Sequence, residues 1–594
     1  MSEQPLIHEE EALGKAYDAR LMRRLLQYLA PYWWLVGFAI LILAAASATE
    51  VVGPWLTKVA LDDAIPEGDG RLLSILAMGY LGAMAFGFVL QYAQRILTAW
   101  LGQRIMYDLR REIFHKLQRL DLRYYDRNPV GRLITRITSD VETLNELFAS
   151  GIVTVFGDVF TLVFIVAIMV QMDWELALAA FSVLPFVAWT AFIFRARVRD
   201  AYRDIRVRLA RINSFLHERF TGIRVVQLFN REERDAREHH RVSSDYLEAH
   251  LRSITYYALF FPVIELFTAI ALALIIWRGG SSILEGTVTV GVVAAFLQYA
   301  RRFFRPIQDL SEKYNLLQGA MASSERIFKL LDHPIDIVDP VNPTPLPTPT
   351  RGEIEFRDVW FAYGDTEEGE PDWVLKRVSF KVESGEKIAI VGHTGAGKTT
   401  LGNLLMRFYE PQKGTILLDG VPIHEVSLQE LRNRVGLVLQ DVFLFSQDVA
   451  YNIRLGSNEI SDPQIQKAAH RVGADRIVRD LPKGYAQPLG ERGSSLSVGE
   501  RQLLSFARAL AFDPSILILD EATSSVDSEI EAQIEEATNE VMKDRTSLVI
   551  AHRLSTVQGV DRILVFHHGE LRETGSHQEL LDRGGLYARL HELQ

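Results

Sequence analysis

Three stretches of this chain run without a charge for longer than a soluble helix tolerates: between Arg24 and Glu50, between Arg71 and Arg95, and between Glu175 and Arg195. A helix needs about 20 apolar residues to cross the hydrocarbon of a bilayer. There, each backbone polar group must be satisfied within the protein. These runs are therefore predicted to be membrane spans. Two more, Leu147–Met172 and Ser253–Trp277, are each broken by one acid, Asp158 and Glu265. A sixth, Gly286–Ala300, is shorter and meets Arg301-Arg302, with its helix expected to continue to near Leu310. The six spans are placed at about 25–52, 72–94, 147–172, 175–195, 256–277 and 286–310. A buried soluble bundle fits runs of this length poorly.

The connections set the orientation, because basic loops stay on the cytoplasmic side. Residues 104–136 carry Arg110, Arg111, Lys116, Arg119 and Arg123, and 195–252 are richer still in arginine. The short loops between them are acidic or neutral, with Asp62, Asp63, Glu67 and Asp69 in one and Asp173 and Glu175 in another. A multi-pass protein of the cytoplasmic (inner) membrane is expected, with both long loops and both termini in the cytoplasm. Glu9, Glu10 and Glu11 stand where a cleavable signal would place basic residues, so none is expected. Cysteine is absent, which excludes disulfides, thiolate metal sites and cysteine nucleophiles. The 64 basic and 75 acidic residues leave a net charge of −11, against a nucleic-acid partner held by bulk positive charge.

The texture changes near residue 340. Asn342-Pro343-Thr344-Pro345-Leu346-Pro347-Thr348-Pro349 excludes a helix and reads as an extended linker, 339–350. It divides an all-α region, 1–338, from an α/β region, 351–594, in which strands alternate with helical patterns around a largely parallel sheet. In that second region the apolar strand Lys387–Val391 runs into Gly392-His393-Thr394-Gly395-Ala396-Gly397-Lys398-Thr399-Thr400 and then a helical pattern. This is phosphate-loop spacing in its strand–loop–helix setting. Successive amides curl around phosphate oxygens and the helix N-terminus adds its dipole. Lys398 supplies a charge to the β- and γ-phosphates, and the Thr399 hydroxyl suits Mg²⁺. A second strand, Ile516–Leu519, ends in Asp520-Glu521. Ligands of α/β sheets bind beyond the carboxyl ends of strands, so both acids are expected beside the loop. Asp520 is assigned to the Mg²⁺ shell and Glu521 to the general base for the attacking water.

Leu496-Ser497-Val498-Gly499-Glu500-Arg501-Gln502 resembles the signature of ABC transporter nucleotide-binding domains, whose usual form is Leu-Ser-Gly-Gly-Gln. The resemblance implies that Ser497 and Gly499 face the γ-phosphate of ATP held by the other domain of a dimer. It implies adenine stacking for Tyr363, contact with Mg²⁺ and the attacking water for Gln440, and a dimer-crossing loop at Ser524–Asp527. His552 resembles the switch histidine on the γ-phosphate. The region 1–338 resembles the membrane half of exporter-type ABC transporters. Coupling segments are expected near Asn128–Arg132 and Phe220–Arg224.

Val498 and Glu500 depart from the usual signature while Asp520-Glu521 is intact. In the family that combination resembles one subunit of a heterodimer, with a homodimer as the alternative. The implied activity is export of hydrophobic or amphipathic substrates, driven by hydrolysis of ATP with Mg²⁺. An ATP-gated channel or regulator, a dedicated lipid flippase and a peptide exporter are the alternatives. Glu50, Asp158 and Glu265 are expensive inside a membrane and are candidate substrate-cavity residues. Arg301, Arg302 and Arg305 are alternative contacts for anionic head groups. Glu521→Gln is expected to trap ATP and lower single-turnover hydrolysis by about 10²–10⁴-fold. Near-normal turnover removes its role as the base.

Overall fold

A computed structural model of the chain describes residues 18–364, 371–520, 528–551 and 557–592. Of the expected site residues, Glu521, Asp527 and His552 lie outside the described residues. The chain divides into two compact units, Met1–Gln118 with Val130–His333, and Arg119–Pro129 with Pro334–Gln594.

The first unit is helical. Its long helices are α1 (Trp33–Val59), α2 (Gly70–Leu117), α3 (Val153–Met172), α4 (Leu184–Thr221), α5 (Glu232–Leu284) and α6 (Val290–Asp332). Among the described residues, five segments are long and apolar enough to span a membrane: Ala30–Ala64, Gly70–Leu117, Val155–Met172, Trp174–Thr221 and Glu232–Leu284. The expected sixth span falls on α6, which is not among the five. Arg301, Arg302 and Arg305 follow about three to four turns after its start. Helices α2 and α5 have 48 and 53 residues, or roughly 70–80 Å at 1.5 Å per residue. Each far exceeds a hydrocarbon layer of about 30 Å. Trp189, Phe192 and Trp277 stand exposed, as suits a surface facing lipid.

The acidic short loops have a local task. Asp69 accepts hydrogen bonds from the amides of Arg71 and Leu72 at the start of α2. Asp173 accepts one from Leu176 N–H, and Asp62 accepts from Gly291 N–H and from the Thr289 hydroxyl at the start of α6. Each carboxylate satisfies amides that have no intrahelical acceptor and complements the helix dipole. The interior of this unit is sealed by Ile165, Met169, Ile264, Ala271, Ile275 and Phe296, and buried Tyr299 donates to the Val51 carbonyl at 2.7 Å.

The second unit holds two sheets. The smaller is antiparallel, in the order β2 (Leu375–Val382), β1 (Ile354–Phe361), β4 (Lys413–Leu418), β5 (Val421–Pro422). The larger runs β10 (Glu570–Gly575), β9 (Arg562–His567), β3 (Lys387–Gly392), β8 (Thr546–Ile550), β7 (Ile516–Asp520), β6 (Val435–Val438). It is parallel except for β10, which pairs antiparallel with β9 at one edge. Side chains alternate between its faces. Ala389, Val391, Leu517, Leu519 and Val549 enter one core, while Ile388, Ile390, Ile516, Ile518 and Ile550 enter the other. Both faces are covered, as a parallel sheet requires.

Two stretches expected in the first region group with the second unit: 334–338, and part of the first long loop. Residues 119–129, within the first long basic loop, belong to the second unit. The Tyr409 hydroxyl donates to Asp126 at 2.6 Å, and Asp121 accepts from the amides of Asp336 and Ile337. Burial, and then the bond to Asp126, push the Tyr409 hydroxyl well above its ordinary pKa. The proline-rich linker is extended and also tied down, through Thr344 N–H to the Glu425 carbonyl and Leu346 N–H to the Glu430 carboxylate. Ile518→Ala, at a position 1% exposed, is expected to destabilise the second unit by about 2–5 kcal/mol. Calorimetry of the full chain checks this on the transition that ATP shifts upward.

Candidate functional site

The larger sheet brings the phosphate-loop elements to one edge. In its register Ile390 on β3 lies opposite Ile550 on β8, and Ile550 opposite Asp520 on β7. β6 pairs beside β7, with Val438 opposite Leu519, so Gln440 leaves the sheet at the same edge. Parallel strands about 4.8 Å apart place the start of the loop and Asp520 roughly 10 Å apart along the row. The loop then closes that gap on its way into α7 (Lys398–Leu405).

Two glycines make that closure possible. A Cβ at Gly392 would lie 2.3 Å from the Phe566 carbonyl oxygen. Gly397, which caps α7, has φ +91° and would press a Cβ to 2.7 Å from Leu375. Only a residue without a side chain fits either place. Lys398 then folds back over the loop, donating to the carbonyls of Gly392 at 2.7 Å and His393 at 3.1 Å. Burial pushes its ammonium pKa down, opposed by the nearby Asp520 carboxylate. A buried cation with neutral carbonyl partners is poised to exchange them for phosphate oxygens, which form stronger charge-assisted bonds.

The Thr399 hydroxyl donates to Asp520 at 3.1 Å. Oxygen ligands around Mg²⁺ at about 2.1 Å stand roughly 3 Å apart, so this hydroxyl–carboxylate pair fits that ion in chemistry and in spacing. The Tyr363 hydroxyl lies 3.1 Å from the Thr400 hydroxyl, and its ring meets Phe361 and Tyr409 edge-on. Tyr363 is thus fixed beside the first turn of α7. Thr394 and Gly395 are exposed at the loop tip, while Ala396 is buried beneath it.

The signature segment opens α8 (Val498–Phe512), with Ser497 as its cap. The Ser497 hydroxyl accepts from Glu500 N–H at 3.3 Å, and the Glu500 carboxylate accepts from Ser497 N–H at 2.7 Å. This reciprocal capping box is legible in the sequence as Ser-x-x-Glu, so Glu500 is a helix cap as well as a departure from the usual signature. Val498 is 52% exposed and Gly499 is buried.

In the first unit a cavity of about 860 Å³ lies among α1, α2, α3 and α6. Leu43, Met84 and Phe88 give it apolar walls, and Glu50, Gln91, Gln94, Arg95, Asp158 and Arg302 give it polar ones. Gln91 donates to the Glu50 carboxylate at 3.2 Å, and Arg302 donates to the Glu50 carbonyl. Asp158 is paired with Lys313 of α6. Of the membrane residues singled out from sequence, Glu50, Asp158 and Arg302 line the cavity. Glu265 and Arg301 are exposed and are not among its lining residues. Gln91, Gln94, Arg95 and Lys313 were missed. Only the charges of Arg95 and Lys313 flagged them, and Lys313 lies beyond the predicted spans.

Comparison with known proteins agrees along the chain. A family described as the ABC transporter transmembrane region matches residues 36–307, and one described as ABC transporter matches 375–524. An uncharacterized ABC transporter ATP-binding protein, YknV of Bacillus subtilis, is 39% identical over 98% of this chain and 96% of its own. An ATP-dependent lipid A-core flippase of Syntrophus aciditrophicus is 36% identical over 97% of this chain and 94% of its own. A solved bacterial Atm1-family ABC exporter with ATP bound gives a TM-score of 0.77 at 29% identity, covering 97% of this chain and 99% of that one.

The Asp158–Lys313 pair yields a test of the membrane cavity. Asp158→Asn leaves Lys313 without its counter-charge and is expected to destabilise the first unit by about 1–3 kcal/mol, with Asp158→Asn/Lys313→Met recovering much of that loss. Thermal unfolding in detergent reads the cycle, and additive losses would show that the two charges do not interact.

Proposed function

From the premise that this chain belongs to the ABC transporter family as an exporter-type half-transporter, we propose that it is one subunit of a heterodimer exporting amphipathic molecules from the cytoplasmic membrane. The chain is a multi-pass membrane ATPase that binds nucleotide and drives export. ABC exporters work as dimers.

The observation that carries the reading is the gathering of Lys398, Thr399 and Asp520 at one sheet edge. Loop amides and Lys398 bind the β- and γ-phosphates. Thr399 and Asp520 are the residues that would hold Mg²⁺, which neutralises phosphate charge when bound. Glu521 accepts a proton from the water that attacks the γ-phosphorus; the new P–O bond forms as the bond to the β-phosphate oxygen breaks. Gln440 orients that water, and His552 steadies the γ-phosphate. ATP drives transport to the extent that it binds the closed pair of domains more tightly than the open pair.

The capping box supports the heterodimer. Glu500 already occupies the amide of Ser497 and places a negative charge in the first turn of α8, where an anion would bind. A glutamine would make the same bond without the charge. Exposed Val498 adds bulk where the usual signature has glycine. This chain's signature thus suits a partner's weaker nucleotide site, while its own Glu521 faces the partner's intact signature. The cavity supports an amphipathic substrate, with apolar walls from Phe88 and Met84 and polar groups from Glu50 and Arg302. The name of the flippase relative is consistent with such a substrate. Segment 119–129, held by Tyr409, is the candidate coupling element.

Purified alone and reconstituted in vesicles, the chain is expected to hydrolyse ATP slowly, with Val498→Gly/Glu500→Gln raising kcat at least about tenfold. Full substrate-stimulated ATPase in the unaltered chain alone would overturn the heterodimer.

A further inference from the structure

The first side chain of the phosphate loop has a second set of neighbours. His393 stands beside the turn between β9 and β10, where His567 and His568 lie. Ring centroids are 5.1 Å from His393 to each of the others and 4.2 Å between those two. One ligand nitrogen from each ring lies within 4.8 Å of the other two.

The backbone holds these segments together independently of the side chains. Gly392 pairs with Phe566 across β3 and β9, at a separation that admits no Cβ. On the far side of the turn Lys376 N–H donates to the Gly569 carbonyl at 2.8 Å.

The imidazole of His393 has one nitrogen engaged and one without a hydrogen-bond partner among the described residues. Its Nδ1 lies 2.7 Å from the Thr394 carbonyl oxygen, a contact that is attractive only when Nδ1 carries the proton. The lone pair is then on Nε2, which is buried and has no hydrogen-bond partner among the described residues. Metal-binding histidines share this pattern: one nitrogen donates to a carbonyl and the other faces the ion.

We propose that His393, His567 and His568 form a binding site for a divalent transition-metal ion of the zinc class, with the remaining position open to water. Nitrogens on a tetrahedral ion at 2.0–2.1 Å stand about 3.4 Å apart. The trio therefore closes by rotation of its rings, and His568 is exposed and has room to turn. Three imidazoles select zinc, cobalt, nickel or copper over Mg²⁺, which prefers oxygen. The site thus shares no ligand with Thr399 and Asp520 and takes a different ion. An ion held there ties the opening of the loop to the β9–β10 turn. It also restrains the residue whose carbonyl accepts from Lys398.

The test is Co²⁺ titration of the full-length chain, in detergent and free of any polyhistidine tag, followed by visible absorption. The expected result is one equivalent per chain, with a d–d band that Zn²⁺ abolishes. His567→Gln/His568→Asn is expected to weaken Co²⁺ binding more than about tenfold while retaining ATP affinity, which reports a folded second unit. Asparagine suits position 568, where φ is +48°. Weak, non-stoichiometric Co²⁺ binding by the unaltered chain, or unchanged binding by a variant that still holds ATP, overturns the site.

Discussion

The parallel register that lines up Ile390, Ile550 and Asp520 is what the nucleotide site rests on. Because the strands run the same way, everything that follows a strand emerges at one edge: the phosphate loop after β3, Asp520 at the end of β7, Gln440 after β6. A slip of one residue in β7 would turn Asp520 to the other face and break its contact with Thr399. The register is protected by burial on both faces, since Leu517 and Leu519 fill one core while Ile516 and Ile518 fill the other. Packing far from any phosphate thus fixes a hydrogen bond between two oxygens.

The acids of the first unit show how one residue type serves separate ends according to place. Asp62, Asp69 and Asp173 satisfy amides at helix starts that hydrocarbon or a tight loop would otherwise leave bare. Glu50 and Asp158, deeper in the helices, are held by partners: a glutamine amide for one, a lysine for the other. Glu265 is exposed. Charge in a membrane segment therefore marks a constraint, and the identity of the partner decides whether that constraint is packing, capping or a polar wall for a cavity.

Cations are sorted in the second unit by donor chemistry. A hydroxyl and a carboxylate at one end of the loop suit Mg²⁺, whereas three imidazoles at the other suit a softer ion. The two sets are joined through the loop backbone, because Lys398 bonds the carbonyls of Gly392 and His393. The capping box at Ser497 applies the same logic with the sign reversed: a carboxylate in the first turn of α8 stabilises the helix and lowers its appetite for an anion.

The sequence by itself determined what depends on local spacing. Uncharged runs require helices in lipid, and the order strand, glycine loop, Lys398, Thr399 requires a phosphate cradle, because both follow from groups a few residues apart. The Ser497–Glu500 box is equally local, since its two residues stand three apart. Tertiary structure alone decided the rest. Lys313 meets Asp158, and His567 and His568 meet His393, across long stretches of chain whose separation carries no signal. Residues 119–129 join the second unit although they sit inside a loop of the first, because hydrogen bonds from Tyr409, Asp336 and Ile337 hold them there. No period or composition encodes a partner that only folding brings near.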